Sequence, residues 1–294
     1  MKIIAVRFLS GILAIVLGGS AIAEEGASAG IRADLQSGLE LQEVANRAHG
    51  QLPAGEAVSA IFTHAHALGA EADPAALDVL RVSLAVIDAW TECEDTFEAV
   101  RAAVALMPER AGDIVATVAV KRNCNCDNGG LWLDQRVDER IRVERRHAIL
   151  DAPLECSCSQ VAMRAGIAGL PEDQAYNDQL PEAEKAALVA RMAEQVAVII
   201  QRTAELQSLD DWECGCTDIN IAAAMQGIGH ADLRDRTYLG LTDEFAAAHE
   251  GEMPMHCHAS ALAYLRNYPP LPFIRLPNGR LLSAPQPHEI ASPN

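Results

Sequence analysis

Eight cysteines carry most of the chemistry that the sequence offers: Cys93, Cys124, Cys126, Cys156, Cys158, Cys214, Cys216 and Cys257. Six of them form three Cys-x-Cys pairs. Residues two apart diverge by about 200° on a helix and share a face on an extended segment. Closing Cys-x-Cys on itself makes a small strained ring, so bridges to other segments are easier. The leading expectation is four disulfides that fasten successive helical hairpins. Eight cysteines allow about a hundred pairings, and the sequence leaves the choice open.

Two other chemistries compete. A Cys-x-Cys can act as an exchangeable dithiol, and Cys214-Gly215-Cys216 is the best case. Its glycine relieves the ring, and a following helix N-terminus would stabilise a thiolate. No Cys-x-x-Cys or βαβ pattern supports it. The second competitor is a metal site. Met253, Met255, His256, Cys257 and His258 gather thioether, imidazole and thiol ligands suited to copper, with His249 near in sequence. His64-x-His66 is weaker, because on a helix the two rings diverge. Oxidised cysteines cease to be ligands, which ranks bridges above metal and leaves the expected cofactor as none, with copper the alternative. No catalytic residue is assigned: the mature chain lacks a phosphate-binding glycine loop, His-Glu-x-x-His and Cys-x-x-Cys-His.

The compartment decides how those cysteines are read. Lys2 and Arg7 precede and flank the apolar run from Phe8 to Leu17, and Ala21-Ile22-Ala23 is a small-x-small cleavage site before Glu24. That is the three-part pattern of a secretory signal peptide over residues 1–23. An exported product makes disulfides the default fate of an even cysteine count. Periplasmic or extracellular localisation is expected. No later stretch is long and apolar enough to span a membrane.

Cleavage would leave 271 of the 294 residues and, because the leader carries two cations and no acid, move the formal charge from −18 to −20. Such a chain should avoid nucleic acid and anionic lipid surfaces. The expected partner is a protein of unspecified identity. Half of the residues are apolar and only 4% aromatic, which suits helices packed closely through small side chains.

The elements needed to position these residues are helical. Residues 24–32 read as a flexible leader and 33–266 as a helical domain with degenerate repeats. Asp73-Pro74 opens a helix carrying Leu77, Leu80, Leu84 and Ile87 on one face. Thr91-Glu92-Cys93-Glu94 reads as a capping box, followed by Phe97, Val100, Val104 and Met107. A further helix is expected from Glu109 to about Lys121, and most of Leu131–Leu150 as helix. Pro171–Leu180 reads as a polar connection before a long helix with Leu188, Met192, Val196, Ile199 and Leu206 on one stripe. Seven prolines past Arg266 make 267–294 an extended tail, with a turn or small hairpin at Pro277-Asn278-Gly279.

An internal repeat links the elements to the cysteines. Glu155-Cys156-Ser157-Cys158-Ser159-Gln160-Val161 aligns with Glu213-Cys214-Gly215-Cys216-Thr217-Asp218-Ile219, 58 residues on. The match continues through Ala165/Ala223, Gly169/Gly227 and Leu170/Ile228. Glu109-Arg110-Ala111-Gly112-Asp113-Ile114-Val115 reads as a degenerate third copy. The unit is a helical hairpin whose second helix opens at the motif, and irregular spacing argues against a strict solenoid. Pro108-Glu109-x-Ala111-x-x-Ile114-Val115 resembles the alanine-rich helical repeats of certain uncharacterised exported bacterial proteins. That resemblance implies a helical fold and no defined activity.

The expected molecule is thus mostly α: an irregular array of disulfide-stapled helical hairpins with an extended tail. The function expected of it is that of an exported scaffold or interaction protein of the bacterial envelope. Periplasmic copper handling and thiol–disulfide exchange are the alternatives.

Overall fold

The computed structural model describes residues 26–90, 92–120, 157–209 and 217–247, with isolated stretches at 258, 261–262, 265–266, 273–275 and 281–283. The expected helix within 131–150 lies outside them.

Helix α1 covers 26–36. The sequence reading made most of this segment a flexible leader, but Ala27, Ile31 and Leu35 recur every fourth residue and are all buried, so one face anchors the helix. Then follow α2 (Leu41–Ala48) and α3 (Ala54–Leu68), which ends at Gly69 with φ 59°, a conformation that side chains with a Cβ disfavour. Asp73 does cap a helix, accepting from Ala75 N at 2.9 Å, but that helix is the short 3-10 turn Pro74–Leu77. The Asp78 carboxylate then accepts from Leu80 N at 3.1 Å and restarts the chain as α4 (Val79–Trp90). A side chain that offers the backbone a local alternative thus splits the expected continuous helix.

Helix α5 (Cys93–Leu106) has Glu92 at its N-cap with no side-chain cap bond, and Thr91, which opens the expected capping box, lies outside the described residues. The Thr96 hydroxyl donates to the Glu92 carbonyl at 3.2 Å. Pro108 closes α5 as expected, and α6 (Ala111–Ala119) follows a 3-10 turn at Pro108–Arg110. Past the undescribed segment come α7 (Ser157–Ala168), the short α8 (Pro171–Ala175), the long α9 (Glu182–Leu209), α10 (Thr217–Gly227) and α11 (Ala231–Ala247). The stretch expected to be a plain polar connection therefore holds α8 and the buried Tyr176. In the tail, β1 (Phe273–Arg275) and β2 (Leu281–Ser283) pair antiparallel, on either side of the predicted turn.

Helices α3, α5, α7 and α10 stack in that order as one row. The second row holds α2 against α4 and then α6, α9 and α11 in sequence. One continuous core fills the space between the rows, from Ile31 and Leu35 through Val100 and Val104 to Met192, Ile199 and Phe245.

The first row is held by close backbone approach. A Cβ at Gly169 would sit 2.5 Å from the Arg101 carbonyl oxygen and 3.1 Å from Val104 Cβ; one at Gly227 would sit 2.5 Å from the Arg164 carbonyl oxygen and 2.8 Å from Ile167 Cβ. The same contact thus recurs at α5–α7 and α7–α10. Gly169→Ala and Gly227→Ala should each lower stability by about 1–3 kcal/mol, the usual penalty for overpacking. Gly30→Ala, within α1 and with open space around its Cα, should raise stability by about 0.5–1 kcal/mol. Urea unfolding of the three variants checks the ordering.

Candidate functional site

A cleft of about 700 Å³ that combines polar and charged side chains lies between α3 and α5. Its floor is apolar: Leu52, Pro53, Ala60, Ala102 and Ala105. Helix α3 supplies Glu56, Ser59, Thr63 and His64, which recur at helical spacing and so share one face. Helix α5 supplies Glu98 and Arg101, paired across one turn at 2.5 Å. Ser28 reaches in from α1, with its Oγ 2.9 Å from His64 Nε2. Gln174 enters from α8.

Short as it is, α8 is fixed from three sides. Gly229 N donates to Asp173 Oδ1 at 2.8 Å, and Arg191 lies 3.4 Å from the Glu172 carboxylate. The Tyr176 hydroxyl, on a residue only 2% exposed, donates to Asp232 of α11. Burial first, and then the Asp232 carboxylate, push the Tyr176 phenol up to about 12. A set of polar groups on an apolar floor can hold a ligand that presents both a hydrogen-bonding and an apolar surface. No third group completing a nucleophilic triad with Ser28 and His64 is described.

The residues singled out from sequence lie elsewhere. Cys93 begins α5 and Cys158 lies in the first turn of α7; both are disulfide-bonded, and with Phe97 and Val161 they form a small apolar cluster. Cys124, Cys126, Cys156, Cys214, Cys216 and Cys257 lie outside the described residues, as do Met253, Met255, His256 and His249. His258 is described, and its Nε2 is 2.6 Å from the Phe245 carbonyl. A carbonyl only accepts, so Nε2 carries the proton, and a metal at that cluster would reach His258 through Nδ1. His66 Nε2 donates to the Leu77 carbonyl at 3.3 Å while His64 meets Ser28, so the two rings diverge as their spacing predicts. Among the described residues no three His, Cys, Asp or Glu side chains are grouped to hold a metal ion, and no helix is long and apolar enough to cross a membrane.

The cleft itself was missed from sequence. Its residues come from four segments, and the local signals are the polar face Glu56, Ser59, Thr63 of α3 and the Gly26-Ala27-Ser28-Ala29-Gly30 stretch of α1. No family model matches the chain, and neither a curated protein nor a solved structure is found to be similar to it.

The raised Tyr176 phenol gives a pH-dependent test of the anchor behind α8. Between the unfolded value near 10 and the folded value near 12 the native state binds the extra proton. Its stabilisation is therefore complete below about pH 10 and lost as the pH rises towards 12. The stability difference between the wild type and Tyr176→Phe should shrink across that window, measured by denaturant unfolding at successive pH values. A difference that stays constant through pH 12 would show that the phenol does not hold its proton against Asp232.

Proposed function

We propose that this chain is an exported, disulfide-stapled helical scaffold that holds a protein partner at the α3–α5 cleft. The observation that carries the reading is the cleft's setting. Convergent hydroxyl, imidazole, carboxylate and guanidinium groups line a preformed hollow on a stacked helical array whose core runs without a break from α1 to α11. Stacked helix pairs offer extended surfaces of this kind, with rigidity supplied by neighbour-to-neighbour packing. The secretory leader at 1–23 and the oxidised state of Cys93 and Cys158 support export to a disulfide-forming compartment. The strong negative charge favours a partner with a basic face and disfavours nucleic acid and anionic membranes.

Two measurements test it. A photo-crosslinking residue at Thr63, exposed in the cleft, should yield a discrete protein adduct in the producing cell; the same residue at Leu239, 60% exposed on α11, should not. Adducts at neither position, or equally at both, would sink the assignment of the cleft. Reduction of the exported protein should lower its melting temperature, since each bridge of this kind contributes about 2–4 kcal/mol. An unchanged melting temperature would remove the staples from the reading.

A further inference from the structure

We propose that Ser28 and His64 form a serine–histidine dyad that hydrolyses small carboxylic esters with a short apolar acyl group, bound in the α3–α5 cleft. The activity goes beyond the partner-binding reading and is independent of it, since the dyad needs no protein partner.

The edges of two buried stripes bring the groups together. On α1 the stripe is Ala27, Ile31 and Leu35. Ser28 follows Ala27 about 100° round the helix, and so stands half-buried beside that stripe. On α3 the stripe is Ala57, Val58, Ile61 and Ala65, and His64 stands half-buried beside it in the same way. Where the two edges meet, Ser28 Oγ lies 2.9 Å from His64 Nε2, within the reach that proton transfer requires. In the tautomer that carries its proton on Nδ1, the imidazole accepts from the hydroxyl. Both side chains line the hollow, so a molecule seated there meets the pair directly.

Ser28 is also the centre of Gly26-Ala27-Ser28-Ala29-Gly30, which has the Gly-x-Ser-x-Gly spacing. In a strand-to-helix elbow those glycines permit a strained turn. Here all five residues are helical, so packing and not strain presents the hydroxyl. A Cβ at Gly26 or Gly30 would meet nothing within 4 Å, and close packing therefore explains neither glycine.

The reaction uses the pair twice. Ser28 Oγ attacks the ester carbonyl carbon as its proton passes to His64 Nε2. The C–O bond to the alcohol then breaks, and His64 gives that proton to the departing oxygen. Water adds to the acyl-serine and protonates His64; the acid leaves as Ser28 Oγ takes the proton back. One ester and one water become one acid and one alcohol, with no change of oxidation state. Arg101, the guanidinium in the wall of the hollow, is available to balance charge on the tetrahedral oxygen. The floor of Leu52, Pro53, Ala60, Ala102 and Ala105 is apolar, and its three alanines leave room for a short acyl chain. Without a carboxylate to orient it, a histidine is a weaker base. That confines the dyad to esters, whose alkoxide leaves more readily than the amine of an amide.

The exported full-length protein, purified without a partner, is treated with a fluorophosphonate, which bonds to an activated serine with loss of fluoride. Digestion and mass spectrometry should place the adduct on Ser28. In His64→Gln the amide can still bond the Ser28 hydroxyl, which keeps the α1–α3 tie and removes the base. Its labelling should slow by about 10²–10⁴-fold, at an unchanged melting temperature. Hydrolysis of p-nitrophenyl butyrate should be lost in Ser28→Ala and kept in Ser37→Ala, an exposed serine just past α1. The wild-type adduct is read whether or not the variants fold. No adduct on Ser28, labelling of His64→Gln at the wild-type rate, or hydrolysis unaltered by Ser28→Ala overturns the dyad. None of these results bears on crosslinking in the cell, so the partner-binding reading stands or falls separately.

Discussion

Everything in this array depends on how closely three parallel helices approach one another. At Gly169 and Gly227 the neighbouring backbone carbonyl occupies the place of a Cβ, so α5, α7 and α10 touch through main chain rather than through interlocked large side chains. Interiors are packed to crystal-like density, and with aromatics at 4% of the chain that density comes from short spacings. The row is accordingly lined with alanine, at Ala99, Ala103, Ala162, Ala165 and Ala224. Larger residues are used where the rows face each other or meet α11, as at Met163, Met192, Ile199 and Phe245.

Close parallel packing has a second consequence, at the helix ends. Helices that share direction and stagger bring their N-termini to one edge, where Thr96 bonds the Glu92 carbonyl and Ser159 donates to Asn220 of the next helix. Buried polar groups must find partners, and the Ser159–Asn220 bond satisfies two across an interface that glycine made narrow. Cys93 and Cys158 sit on this edge because each lies in the first turn of its helix.

What was legible in the sequence was what is local. The stripe from Leu188 to Ile199 on α9 is buried as its spacing requires, and Pro108 stops α5 where it should. Local competition defeated other readings: Asp78 recaps the chain and divides one expected helix into two elements. The leader was misjudged for a different reason. Small polar residues dominate 24–30, and the three side chains that anchor α1 gain their meaning only from the surface they cover. The cleft had no contiguous signal, since α1, α3, α5 and α8 each supply only part of it.

The cleft is placed where the repeat departs from its own rule. In α7 the repeated arginine, Arg164, lies over the Phe97 ring of the preceding helix, 5.7 Å from its centroid, and burial lowers its basicity. Its counterpart in α5 is Arg101, and among the described residues no phenyl or indole ring lines the cleft between α5 and α3 to receive it. Arg101 turns instead to Glu98 on its own helix, half-exposed at the rim of the hollow. A side chain that is packing material inside the array becomes a charged, accessible group at its first interface. An array built from near-identical contacts can gain a binding surface by omitting one ring at one end, while the packing that sets its stability continues unbroken beneath.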